Sequence, residues 1–117
     1  MYKIKIKRIY EDASSGDGYR ILVDRIWPRG VSKEEAKLDD WKKEIGPSNE
    51  LRKWFGHVPD KFDEFAKRYT KELEAKKEDL IGIRKLAKDR TVTLLYGAKD
   101  TEHNQAVVLQ KLLTDIR

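Results

Sequence analysis

Cysteine is absent from the 117 residues. That removes a disulfide framework, a thiolate nucleophile and every cysteine-based metal site at once, and it makes the cytoplasm the expected compartment. Histidine occurs only twice and methionine once. No segment is long and apolar enough to span a bilayer. The first eight residues are basic and alternating, with no apolar run, so neither a signal peptide nor a membrane anchor is expected. Linkers, internal repeats and low-complexity tracts are missing too. A single α/β domain over residues 1–117 is therefore expected, long enough to bury roughly two-thirds of its unfolded surface without staples.

What is abundant is charge, at 40% of residues with a net charge of +5. The signs are interspersed, as in Lys-Glu-Leu-Glu-Ala-Lys-Lys-Glu-Asp over 71–79, the pattern of a solvated helix surface. Lysine and glutamate are plentiful while Asn, Gln, Met and Cys are scarce, a bias that points toward a thermophilic source. A pI near 9.3 permits nucleic-acid binding, but a small surplus spread evenly supports it only weakly.

Hydrophobic periodicity divides the chain. Residues 2–9 alternate Tyr2, Ile4, Ile6 against Lys3, Lys5, Lys7, as in a half-exposed strand near an edge. Turn-formers over 11–18 lead to Tyr19-Arg20-Ile21-Leu22-Val23-Asp24, a short apolar run suited to a buried central strand. Ser32 and Glu35 fit a capping box, opening a helix with Leu38, Trp41 and Ile45 on one face. Gly46-Pro47 ends it. A short turn carries Leu51, Trp54 and Phe55, and Asp60 is placed to cap a helix with the stripe Phe62, Phe65, Ala66, Tyr69, Leu73. A further helix is expected over 79–88, a second buried strand over 91–96 and a last helix over 101–114. The result is a small sheet, with parallel central strands at about 19–24 and 91–96 and an N-terminal strand at about 2–9, flanked by four to five helices. The short 11–18 connection favours a hairpin on length alone, and the direction of the first strand stays open.

In open parallel sheets, ligands bind beyond the carboxyl ends of the strands. Both central strands end in polar motifs, Asp24-Arg25-Ile26-Trp27-Pro28-Arg29-Gly30 and Tyr96-Gly97-Ala98-Lys99-Asp100-Thr101-Glu102-His103-Asn104, which face each other if the strands are neighbours. Arg25 and Arg29 can grip a phosphate or carboxylate bidentately, and the start of the last helix offers free amides. Trp27, Tyr96 and Asn104 complete the ligand-binding candidates. His103, in the first turn of the expected helix, is the candidate proton-transfer group, with Asp24 or Asp100 to orient it. Equally, Asp100 can be a helix cap, His103 a packing residue and Asp24-Arg25 a structural ion pair. His57 and His103 match no zinc spacing, so no metal is expected, and no motif calls for a cofactor.

These motifs, with Leu51-Arg52-Lys53-Trp54-Phe55-Gly56-His57, resemble the short, YeaO-like branch of the family catalogued as domain of unknown function 488. The resemblance covers nearly the whole chain. It implies a small α/β domain in a prokaryotic cytoplasm, with no established activity. Longer relatives carry an aspartate motif after an early strand, to which Asp24-Arg25 is similar, and cysteines around the late-strand loop. Here that loop holds Tyr96, Asp100, His103 and Asn104 but no cysteine, so thiol chemistry does not transfer.

Three functions follow in order. The first is an enzyme or sensor binding an anionic small molecule, such as a phosphate-bearing one, at the paired motifs. The second is a nucleic-acid module using Lys3, Lys5, Lys7, Arg8 and the arginine loop, and the third is a structural or interaction protein. No membrane partner is expected.

Overall fold

Alternation along three apolar strands decides the architecture. In the computed structural model, which describes residues 3–115, the strands are β1 (Ile4–Arg8), β2 (Tyr19–Leu22), β3 (Asp40–Trp41) and β4 (Val92–Tyr96). They form one sheet of order β1-β4-β2-β3 in which every neighbouring pair is parallel. β4 is buried at every position, the mark of a central parallel strand. Tyr2, expected at the start of β1, lies outside the described residues.

The hairpin favoured by loop length does not form. β1 pairs with β4, with Ile4 opposite Val92 and Arg8 opposite Tyr96, and does not neighbour β2. The 11–18 segment instead runs back along the sheet, where the lysine face of β1 holds it. Lys5 Nζ donates to the Gly16 carbonyl at 3.2 Å, and Lys7 Nζ donates to the Asp12 carbonyl and the Asp17 carboxylate. An extended chain covers about 3.3 Å per residue, so this connection is long enough to span a short strand.

Five helices follow: α1 (Lys33–Ala36), α2 (Asn49–Phe55), α3 (Phe62–Leu73), α4 (Lys77–Asp89) and α5 (Gln105–Asp115). The capping box forms as expected, with Glu35 N–H donating to Ser32 Oγ and Ser32 N–H donating to Glu35 Oε1. The helix it opens lasts one turn. Lys37 takes a left-handed φ of 46°, the chain extends, and Trp41 joins edge strand β3 rather than a helix face. Asp60 lies within a 3-10 turn, Pro59–Lys61, and does not cap α3. α5 begins four residues later than 101 because Asn104 is its cap, its Oδ1 accepting the Val107 N–H at 3.1 Å.

Alternation sends the two sheet faces to different partners. Ile4, Ile21, Val23, Val92, Leu94 and Tyr96 face a core shared with α2, α3, α4 and α5. Leu22 and Leu95 face the other way, against Ile9, Ala36, Trp27, Val31, Leu38 and Trp41. That thinner side also carries a buried polar group, in which Asp17 accepts from Lys7 and Arg20 while Thr93 Oγ1 donates to the Asp17 carbonyl. No helix among the described residues is long and apolar enough to cross a membrane.

Candidate functional site

Because β2 and β4 are parallel neighbours, their carboxyl ends open onto the same edge of the sheet. A cleft of about 260 Å³ lies there. Asp24, Arg25, Ile26 and Pro28 line it from the end of β2, and Gly97, Ala98 and Gln105 from the end of β4 and the start of α5. Arg52, Phe55 and His57 close it from α2 and its exit, with Phe65 of α3, Pro47 and Tyr10 completing the wall.

Asp24 is the chemical centre of this cleft. Its Oδ2 accepts the Gly97 N–H at 2.9 Å and its Oδ1 accepts from the Gln105 side-chain amide. Burial pushes its carboxyl up to about 6, against the opposing pull of the Gly97 hydrogen bond, the nearby Arg52 charge and Gln105. Among the described residues, no cation forms an ion pair with it.

Arg25 also reaches the cleft, but two of its five donors are committed. Its Nε donates to the Pro47 carbonyl and its Nη2 to the Gly46 carbonyl, both at 2.9 Å. These bonds fix the guanidinium plane and leave three N–H groups for a ligand. Arg52 is steadied by Asn49, whose Oδ1 accepts from Nη1 at 3.0 Å. His57 follows the end of α2 with a φ of 58°, a left-handed conformation that directs the chain along the cleft rim.

The other expected site residues go elsewhere. Trp27 packs edge-on against Trp41 at 5.3 Å, and its Nε1 donates to the Val31 carbonyl, on the far face of the sheet. Arg29 is exposed and does not line the cleft; its carbonyl accepts from Tyr10 Oη. Tyr96 is buried in the main core, which raises its phenol pKa, and Asn104 is a buried helix cap. Asp100 and His103 do meet, with Nδ1 2.9 Å from Oδ2 and the His103 ring edge-on to Phe62. That pair sits in the turn before α5, ahead of its first turn, and neither residue lines the cleft. Amide hydrogen bonds from Glu102 and His103, together with the His103 ring, hold the Asp100 carboxyl below its ordinary value.

Of the residues expected from sequence, Asp24 and Arg25 line the cleft, and it is also lined by Arg52, His57 and Gln105, which were not among them. The signal for Arg52 and His57 was present: both lie in the Leu51-to-His57 motif that carried the family resemblance, but no periodicity brings α2 to the strand ends. Among the described residues, no acidic or histidine cluster has the makings of a metal site.

A four-stranded parallel sheet, with four of the five helices on one face and α1 on the other, and an open cleft at the strand ends define a small α/β protein, of a class in which ligands bind at the carboxyl edge. Within that class, the chain belongs to the domain of unknown function 488 family, and residues 3–116 match the model described as the inactive DUF488-N3 subclade. It is 46% identical to the uncharacterized protein YeaO of Escherichia coli K12, over 97% of this chain and 98% of that protein. It is 41% identical to the uncharacterized proteins Mb3100c of Mycobacterium bovis and Rv3073c of Mycobacterium tuberculosis H37Rv, in each case over 95% of this chain and 93% of the relative. No solved structure matches the chain.

Proposed function

We propose that this protein binds a small anionic molecule in the cleft at the ends of β2 and β4, through the guanidinium groups of Arg25 and Arg52. The carrying observation is that both cations line one cleft with donors to spare, where parallel sheets bind ligands. The setting is the cytoplasm. At about 260 Å³ the cleft falls just under the roughly 300–1,000 Å³ typical of drug-sized sites, so it suits a single carboxylate or phosphoryl group on a small body. Binding without turnover is the reading that the subclade's description as inactive supports. The Asp100–His103 pair, the best proton-transfer group by sequence, also stands apart from the lining residues.

The nucleic-acid reading loses ground. Lys5 and Lys7 are committed to the 11–18 segment, and Arg8 Nε donates to the Ala98 carbonyl while its guanidinium stacks on Tyr10. The test is an NMR and thermal-shift titration with phosphate, sulfate, small carboxylates and short nucleic acids at two salt concentrations. Small anions should shift the amides of Gly97 and Gln105. Nucleic-acid binding that falls steeply with salt, with no response to small anions, would replace this reading with the second.

A further inference from the structure

Anion binding alone leaves Asp24 unexplained. A carboxylate in the wall of a cleft that attracts anions opposes their binding, and burial already disfavours its charged form. Its hydrogen bonds use one acceptor position on each oxygen, and a carboxylate oxygen offers two. An ion-pair partner is missing among the described residues. The cleft is therefore bipolar, with Asp24 as one pole and the guanidinium groups of Arg25 and Arg52 as the other. The same lining has an apolar part, supplied by Phe55, Phe65 and Pro28. Phe55 and Phe65 are stacked on each other at 4.3 Å, so this wall is rigid.

A bare phosphate or sulfate satisfies the arginine pole and leaves Asp24 facing a like charge. A nucleotide adds bulk that about 260 Å³ does not hold. A molecule with an ammonium and a carboxylate on one carbon, and a small apolar side chain, satisfies all three parts together. We propose that the ligand is a free α-amino acid with an apolar side chain: its ammonium meets Asp24, its carboxylate meets Arg25 and Arg52, and its side chain lies against the phenylalanine wall. This inference rests on the anion-binding reading above and adds to it a cationic group and a size. No bond is made or broken.

The test is a calorimetric and NMR titration at pH 7.5 with four probes: L-leucine, 4-methylpentanoate (which lacks the ammonium), 3-methylbutylamine (which lacks the carboxylate) and inorganic phosphate. Leucine should bind at least about tenfold more tightly than either truncated analogue, the loss of one charge-assisted contact. Asp24→Asn should erase the preference for leucine over 4-methylpentanoate, and Arg52→Gln the preference over the amine. If 4-methylpentanoate or phosphate binds as tightly as leucine, the amino-acid inference is overturned while anion binding stands. If no probe binds, or the amine binds as tightly as leucine, both readings fail. The probe series on the unmodified protein decides the matter even if a variant does not fold.

Discussion

The backbone N–H of Gly97 donates to Oδ2 of Asp24 at 2.9 Å, joining the end of β4 to the end of β2 across 73 residues of chain. The same carboxylate receives the Gln105 amide at the first residue of α5. Asp24 therefore organises three elements, yet its charge is disfavoured where it stands. Folding raises its pKa from 3.8 to about 6, so its contribution to stability is fully present below pH 3.8 and is lost as pH rises through about 6. The loss amounts to at most about 3 kcal/mol at neutral pH. Asp24→Asn keeps an oxygen for Gly97, and the Gln105 amide can turn to present its own oxygen. Thermal melts between pH 4 and 8 should show the asparagine variant several degrees more stable than wild type at pH 8, with the gap closing toward pH 4. A variant less stable than wild type at pH 8 would mean that the charge itself stabilises the fold.

Gly97 gives a second handle on the same contact. A Cβ built there comes within 3.0 Å of Asp24 Oδ2 and 3.9 Å of both Pro28 and Tyr10. Gly97→Ala should push the carboxylate aside and narrow the cleft, costing about 1–3 kcal/mol as overpacking does. Urea unfolding measures the cost. An undiminished response to small anions in this variant would place their binding away from Asp24.

The opposite face of the sheet makes an opposite prediction with acid. Asp17 is 3% exposed and Arg20 is 5% exposed. Burial alone would raise the Asp17 carboxyl, but hydrogen bonds from the Ser14 amide, Lys7, the Ser14 hydroxyl and Arg20 overcome it and bring it to about 2. A depressed pKa stabilises the fold above pH 3.8, and this contribution, about 2 kcal/mol, is lost as pH falls through about 2. Asp17→Ala should cost about 3–5 kcal/mol at pH 7, because it strands a buried guanidinium. The penalty should shrink at pH 2. An equal penalty at both pH values would show that packing, not the charge, is what the residue contributes.

The two central strands were legible because short runs of apolar and β-branched residues, Ile21-Leu22-Val23 and Val92 to Tyr96, have no other comfortable place. Which strand sits beside which was not. Periodicity reports the face a residue occupies, and it carries no information about the neighbour across the ladder, so β1 was free to join β4 past its own loop. Leu38, Trp41 and Ile45 are spaced as on a helix, yet Leu38 and Trp41 pack on one face of the sheet and Ile45 on the other. One left-handed residue, Lys37, produces that difference, and lysine carries no sequence signal for it. The site was half legible for the same reason. Strand ends announce Asp24 and Arg25, whereas Arg52 and His57 arrive by the docking of α2, a tertiary fact.

Gly18 is a position where the backbone leaves no choice. Its φ is +64°, and a Cβ there falls 2.1 Å from the Thr91 carbonyl oxygen, which already accepts the Tyr19 N–H. Gly18→Ala combines a disfavoured conformation with a clash against backbone that cannot move without breaking the β2–β4 ladder. The loss should be about 3 kcal/mol or more. Denaturant unfolding would read it, and a loss below 1 kcal/mol would mean that the ladder start is more yielding than its hydrogen bonds indicate.

Arg29 and His103 separate the cleft from the site that sequence alone favours. Arg29 is exposed beyond Pro28, and His103 is held by Asp100 and Phe62 in the turn before α5. Neither lines the cleft, whereas Arg52 does. If the anion sits between Arg25 and Arg52, Arg29→Ala and His103→Ala should leave its dissociation constant within about twofold of wild type. Arg52→Gln should weaken it by roughly tenfold or more, the worth of one charge-assisted contact. NMR titration of the three variants, each checked for wild-type amide dispersion, makes the comparison. A tenfold loss in His103→Ala with no effect in Arg52→Gln would move the site to the Asp100–His103 turn. It would also restore proton transfer as the chemistry to look for, because an aspartate-held imidazole beside a bound anion is the arrangement of a general base.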